Sequence, residues 1–274
     1  MWGSSFLFVE IGLEYLSPVV IAWARIALGA VALGCVPAAR RPIVRHDWPA
    51  VAAVGLIWMA APFVLFPLAQ QSIDSSLAGM INGAAPLFAV FIAVLWTRRL
   101  PGSYQRVGLL VGFVGVLAVN WPATQGADAT VLGAGLAMAA TICYGVAFNL
   151  TPPLQARNGA LPVIWRAQLV ALAVLTVPAA ADPSGWSWSL PAWSAMVALG
   201  VLSTGLAFAA FITLVGRVGQ RGSVAVYFIP VVAIGVGVVL AGESVASLSL
   251  VGTALVLIGA WLTSRRDPTI PRAV

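Results

Sequence analysis

Two charges fall inside apolar stretches near the start of the chain, Glu10 and Arg25, and these are the residues with the clearest capacity for chemistry. Counted at a helical rise of about 1.5 Å from the turn around Glu14 to Ser17, Glu10 lies roughly one turn down the first stretch and Arg25 about 10 Å down the second. As antiparallel neighbours they could meet. An unpaired charge at that depth costs about a few kcal/mol in a bilayer, so each calls for a partner or a wet cavity. The functional expectation makes Glu10 a proton-sensitive gate and Arg25 a cation for a substrate carboxylate. The plainer alternative is a structural clamp between adjacent helices.

A second set of candidates surrounds two prolines. Pro86 and Pro230 fall near the middle of apolar stretches, where each removes a backbone hydrogen bond and displaces the carbonyl four residues earlier, those of Asn82 and Val226. In a bilayer such carbonyls need protein or a water-lined cavity. Asn82 adds an amide and Tyr227 a hydroxyl at the same levels, which puts both on an expected cavity wall, and a packing kink is the alternative for the prolines. Trp58, Gln168, Ser203 and Thr204 are further polar groups in apolar stretches that could line a pore. For Ser and Thr, bonding to their own helix or to a neighbour is the commoner role. Trp165 with Arg166 fits an interfacial anchor, and Trp186, Trp188 and Trp193 fit an aromatic belt.

Other chemistries lack their residues. The one histidine, His46, lies between apolar stretches, so neither a His-based metal site nor a Ser-His relay can be assembled within the membrane. Cys35 and Cys143 both fall in apolar runs and read as packing residues. The chain contains no lysine, hence no G-x-x-x-x-G-K-[ST] phosphate loop. No cofactor and no metal are expected. A membrane-embedded enzyme would also want paired carboxylates within the bilayer, which makes it the weakest of the functional classes.

The elements that must position these residues are membrane helices. Ten apolar runs cover approximately 2–13, 17–38, 49–69, 76–97, 104–121, 130–150, 162–181, 191–215, 222–241 and 247–263, and about 20 apolar residues cross a hydrocarbon core. With 61% hydrophobic and 8% charged residues, a soluble domain would leave too much apolar surface in water. An all-α polytopic membrane protein is expected. Its arginines recur in alternate gaps, at Arg40, Arg41 and Arg45, at Arg98, Arg99 and Arg106, at Arg157, at Arg217 and Arg221, and in the tail at Arg265, Arg266 and Arg272. The other gaps hold Glu14, Asp74, Asp128, Asp182 and Glu243. The positive-inside rule then makes the arginine gaps and both termini cytoplasmic. The net charge of +6 needs no nucleic-acid partner, because arginines bordering an anionic leaflet account for it. No cleavable leader is recognisable, and the shortness of the first run suggests a native start one to two helical turns upstream.

A shift of 144 residues aligns Pro18 with Pro162, Pro86 with Pro230, Gly108 with Gly252 and Gly115 with Gly259. A slightly different shift pairs Trp2, Gly3 and Phe6 with Tyr144, Gly145 and Phe148. Each half then holds five runs, and an odd number forces the halves into opposite orientation. Charges agree, since Arg98-Arg99 aligns with Gly242-Glu243. Two inverted repeats, 1–121 and 130–263 with a cytoplasmic tail at 264–274, form the common architecture of secondary transporters. The small faces Gly108, Gly112, Gly115 and Gly252, Gly259 suggest that the fifth and tenth helices pack at the repeat interface, with a contact between two copies of the chain as the alternative.

Trp2-Gly3 with Phe6, Pro18 followed by Arg25, the buried Pro86 and Pro230, and Gly242-Glu243 followed by Gly252 and Gly259 together resemble the drug/metabolite transporter superfamily, in particular its EamA-type ten-helix members. The resemblance spans essentially the whole chain; Arg99 stands where the second repeat has the family-like Glu243. It implies a carrier with two five-helix repeats around a central cavity, commonly an exporter of amino acids, other metabolites or small toxic compounds.

The reading is therefore a secondary transporter in the cell's inner membrane. It exports amino acids or related small metabolites by alternating access, with Glu10, Arg25, Trp58, Asn82 and Tyr227 at the substrate cavity and Pro86 and Pro230 at helix breaks. Its partners are a small molecule, the lipid bilayer and, as a candidate coupling ion, a proton. A non-transporting assembly or regulatory subunit is the rival from a different class. Few charges line the expected cavity, which disfavours polyanionic cargo.

Overall fold

Helices make up the computed structural model, which describes residues 1–98, 101–125, 128–218 and 226–265; among these residues there is no strand. In chain order the α-helical stretches are α1 Ser5–Leu13, α2 Pro18–Gly34, α3 Trp48–Val54, α4 Ala61–Gln70, α5 Ser75–Asn82, α6 Ala85–Thr97, α7 Ser103–Thr124, α8 Asp128–Asn158, α9 Ala160–Ala180, α10 Leu190–Val197, α11 Ala207–Val218, α12 Phe228–Leu240 and α13 Ser247–Ser264. Several join end to end. A wider π-helical stretch, Gly55–Ala60, carries α3 into α4, and a second, Ala198–Leu206, carries α10 into α11. Among the described residues seven such helices or joined helices, Arg45–Gln70, Ser75–Thr97, Ser103–Thr124, Thr130–Asn158, Ala160–Ala180, Leu190–Phe211 and Ser247–Ser264, are long and apolar enough to cross a membrane. Pro18–Gly34 and Phe228–Leu240 are shorter and apolar, and α1 has 9 residues.

Local sequence explains the starts and interruptions. Ser17 caps α2 by accepting a hydrogen bond from the Val20 amide at 3.4 Å, with Pro18 in the first turn, where no amide is needed. The two prolines expected at helix breaks both stand in the first turn of a helix. α5 ends at Asn82, two residues intervene, and Pro86 occupies the first turn of α6; Pro230 lies in the first turn of α12, which begins only at Phe228. Pro86 thus starts a helix after a break, and Pro230 likewise occupies a first turn, where a residue has no intrahelical acceptor to lose. α8 in turn runs past the expected end of its apolar run to Asn158, through Pro152 and Pro153.

Polar contacts sort the loops into two ends. At one end Arg157 pairs with Asp47 at 2.7 Å, Asn158 donates to Asp47 at 2.6 Å, and Arg166 donates to the carbonyls of Ala39 and Arg40 at 3.1 and 3.3 Å. At the other the Ser17 amide donates to the Gly185 carbonyl at 3.1 Å, and Glu243 reaches the start of α5. Arg40, Arg41 and Arg45 belong to the first end, and Asp74, Asp182 and Glu243 to the second. Arg99, Arg221, Arg266 and Arg272 lie outside the described residues, and the side chains of Asp128 and Arg217 do too.

α7 and α13 pack on each other through glycine. A methyl group on Gly108 would sit 2.7 Å from the Gly259 carbonyl oxygen, and one on Gly115 2.7 Å from that of Gly252. In the reverse direction, a methyl on Gly252 would lie 2.8 Å from the Gly115 oxygen and one on Gly259 2.6 Å from the Gly108 oxygen. The helices are antiparallel and their backbones touch, which only small residues permit. The π-helical stretches make similar approaches. A methyl on Gly55 would meet the Ala167 carbonyl of α9 at 2.7 Å, and one on Gly200 would meet the Arg25 carbonyl of α2 at 3.0 Å.

Candidate substrate site

Arg25 sits in the middle of α2 and is 8% exposed. Its guanidinium lies flat over the Phe63 ring of α4, 3.7 Å from the centroid, and its Nε donates to Thr204 Oγ1 at 2.9 Å. Thr204 belongs to the π-helical stretch between α10 and α11 and also donates to the Leu199 carbonyl at 2.9 Å. That carbonyl is five residues back, so the wider turn frees the hydroxyl oxygen to face α2. The Tyr144 hydroxyl is close enough to interact electrostatically with the guanidinium. Among the described residues no carboxylate pairs with Arg25. Among the described residues its terminal nitrogens meet no hydrogen-bond acceptor, and Nε makes its side-chain bond.

Around this cation runs a chain of aromatic rings. Trp58 meets Phe148 and Phe208 edge-on, each at 5.6 Å, and Phe208 meets Trp2 at 5.4 Å. On the other side Phe66 lies 5.9 Å from Tyr144 and 5.3 Å from Phe6. Phe63, Trp58, Trp2 and Tyr144 pack in one cluster with Ala22 and Ile26 of α2. Edge-to-face rings supply rigid apolar walls. Beside the enclosure a cleft of about 410 Å³ opens between the start of α1, α11 and α12, lined by Trp2, Ala207, Phe211 and Val232 among others. Trp2 borders both.

The expected pairing of Glu10 with Arg25 is not what the structure has. The Glu10 carboxyl lies beside Ser75, Glu243 and Asp74, at the end away from Arg157, and its Oε2 is buried without a partner. Depth along a helix does not fix the direction in which a side chain points. Tyr227 is committed elsewhere as well, donating its hydroxyl to the Ala260 carbonyl of α13 at 3.0 Å. Asn82 ends α5 with a buried, unpartnered Oδ1. Of the expected cavity residues, Arg25 lies over Phe63, which packs in one cluster with Trp58, while Glu10 lies beside Ser75 and Glu243 and the Tyr227 hydroxyl is spent on Ala260. Thr204, one of several pore-lining candidates in the sequence, touches Arg25 directly. Phe63, Phe66, Phe208, Tyr144 and Phe148 carried no individual signal, yet the alignment of Trp2 and Phe6 with Tyr144 and Phe148 marks four residues that all belong to the aromatic chain. Trp165 donates to the Ala30 carbonyl at 3.0 Å, so with Arg166 it ties α9 to α2 and the loop that follows.

Glu243 forms a cap across the fold. The side chain of Asp74, which precedes α5, makes no capping bond; instead Glu243 Oε1 accepts from the Ser75 amide at 2.9 Å and the Ser75 hydroxyl at 2.5 Å, and Oε2 from the Ser76 amide at 2.9 Å. These amides are orphan donors at a helix start. Gly237 makes room, since a methyl there would clash with Glu243 Oε2. Burial would raise the Glu243 carboxyl, but the Ser75 and Ser76 donors outweigh it and hold the group below its usual value of 4.5. Asp74 is raised by burial and by the charge of Glu243. A carboxyl depressed on folding stabilises above its unfolded value, and that contribution is lost as pH falls through the folded one. Glu243→Gln is therefore expected to cost about 1–2 kcal/mol at neutral pH, the scale of a lost cap. Thermal unfolding in detergent should show the wild type and the variant converging below pH 4.5.

Helices of membrane-spanning length around a buried arginine and a chain of aromatic rings define a polytopic helical membrane protein. The EamA-like transporter family matches residues 1–121 and again 131–265, and the chain belongs to that family. Its relatives are named as transporters rather than enzymes. One from Streptantibioticus cattleyicolor, 29% identical over 97% of this chain and 90% of its own, is named "Probable terminal-alkyne amino-acid exporter". A transporter from Archaeoglobus fulgidus is 24% identical over 97% and 95%, and the inner membrane transporter YedA of Escherichia coli is 23% identical over 96% and 87%. A solved crystal structure with 20% identity superimposes with a TM-score of 0.65, covering 96% of this chain and 95% of its own, a likeness of fold.

Proposed function

We propose that the protein is a secondary carrier of the inner membrane that exports amino acids or related small metabolites by alternating access, with Arg25 and its aromatic enclosure as the substrate site. The observation that carries the reading is a buried cation, without an ionic partner among the described residues, held between α2 and the α10–α11 connection. A charge kept in so costly a place with no opposite charge among the described residues suits a ligand that supplies one. The amino-acid exporter among the relatives agrees in cargo size and chemistry.

In this reading the chain crosses the bilayer ten times as two inverted repeats, 1–121 and 130–263, with both termini and the tail at 264–274 in the cytoplasm. Support comes from reciprocity. Under the shift of 144, Gly108 corresponds to Gly252 and Gly115 to Gly259, and the contacts run from Gly108 to Gly259 and from Gly115 to Gly252, as a two-fold axis between equivalent helices requires. The π-helical stretches Gly55–Ala60 and Ala198–Leu206 overlap under the same shift. Proton coupling or exchange drives the cycle, with Glu10 as its gate and Asn82 on the cavity wall.

Proteoliposomes carrying the purified protein and preloaded with a mixed pool of amino acids and metabolites test this reading. The expected result is saturable efflux of a subset of the pool above that from protein-free vesicles. No compound leaving faster than from protein-free vesicles would leave the subunit alternative standing. Single cysteines at positions 41 and 188 in a chain lacking Cys35 and Cys143 are expected to label from opposite faces of the membrane, the first from the cytoplasm.

A further inference from the structure

The geometry points to one substrate class for the Arg25 site: a monocarboxylate with an apolar or aromatic body, bound through its carboxylate, whose amino group, if it has one, is not recognised by charge. This inference rests on the enclosure being the carrier's substrate site.

Each part of the class follows from a contact. Phe63 covers one face of the guanidinium and Thr204 takes Nε, so the terminal nitrogens are what remains to donate. Two parallel N–H groups of a guanidinium match the two oxygens of a carboxylate. The cation is held on both sides, by an aromatic face and by a hydroxyl itself fixed to the Leu199 carbonyl, and a donor already ordered loses little freedom on binding. A ligand anion here would end the isolation of a charge kept from water, an interaction stronger in an apolar setting than at a surface.

The body of the ligand meets rings. Trp58, Phe148, Phe208, Phe66 and Tyr144 present faces and edges, and among the described residues no acid pairs with a charge in this region. The Glu10 carboxyl lies beside Ser75 and Glu243 instead. An ammonium group would therefore find aromatic faces but no counter-ion. Arg166, the neighbouring arginine on α9, spends its terminal nitrogens on the carbonyls of Ala39 and Arg40. A second negative charge on the ligand would lack a partner, and dicarboxylates and phosphates fall outside the class.

The test is binding to the purified full-length protein in detergent, followed by ligand-dependent thermal shift with L-phenylalanine, 3-phenylpropanoate and L-phenylalaninamide. The two carboxylates are expected to bind within about threefold of each other and the amide at least about tenfold more weakly, as for a site left with an unmatched polar group. Arg25→Gln should remove that order by weakening the carboxylates alone, and Thr204→Val, which keeps the charge, should preserve the order with weaker binding. Equal or tighter binding of the amide, or no binding of either carboxylate at millimolar concentration, overturns the inference whether or not the variants fold. Efflux from proteoliposomes separates it from the carrier reading. Carboxylate binding in the expected order without any efflux sinks the carrier and leaves the site, whereas efflux that favours the amide over the acid sinks the substrate class and leaves the carrier.

Discussion

Gly115→Leu is expected to leave almost no folded protein in the membrane. Ordinary overpacking costs about 1–3 kcal/mol because neighbouring side chains can shift. Here the first added carbon already meets the Gly252 carbonyl at 2.7 Å and the Val256 amide nitrogen at 2.6 Å, and backbone atoms inside a helix cannot move aside singly. The seam between α7 and α13 must open as a whole, which puts the loss beyond about 4 kcal/mol, the range reserved for exceptional substitutions. Gly252→Leu should do the same, since it faces Gly115 from the other side. Gly115→Ala should fall between. Fluorescence-detected size-exclusion of the solubilised protein checks the order, and a monodisperse Gly115→Leu protein at wild-type abundance would refute the account of this seam. Gly235 is the matched control: a methyl there meets nothing within 4 Å.

Arg25→Leu should behave in the opposite way, with transport lost and stability kept. Removing one partner of a buried ion pair strands the other and destabilises strongly, but among the described residues Arg25 has no ionic partner to strand. The change deletes a desolvated charge and one hydrogen bond to Thr204 and returns an apolar side chain against Phe63. Thermal unfolding is expected at or above the wild-type temperature. Efflux of carboxylate cargo is expected to fall about a hundredfold or more, as when a charged anchor is truncated in a buried site. A parallel fall in both quantities would instead mark Arg25 as a structural clamp, and the two measurements on one preparation decide between these roles.

Much of the arrangement could be read directly from the chain, and the parts that could not share a cause. The glycines of α7 and α13 were legible as thin faces because spacing along a helix is a local property, and their packing on one another followed from matching the faces under the shift of 144. The pairing of Trp2 and Phe6 with Tyr144 and Phe148 likewise pointed at residues that share the aromatic chain. The helix breaks were legible only in place. Pro86 marks one, but whether a proline bends a helix or starts one depends on whether the preceding turn persists, and after Asn82 it does not. The cap on α5 was hidden because Glu243 follows Ser75 by 168 residues, and nothing in the spacing of two such distant residues reports their contact.

What the sequence determined by itself is everything that adds up along the chain: apolar lengths that suit a bilayer, alternation of arginine with acid between them, and the kinship of the two halves. Hydrophobic transfer and charge placement act on each segment almost independently, so composition suffices. Tertiary structure alone decided which way each buried charge points. One residue advances a side chain about 100° around its helix, so equal depth in the membrane never guarantees contact. Glu10 and Arg25 occupy neighbouring helices, yet packing turned one toward Ser75 and Glu243 and the other toward Phe63 and Thr204.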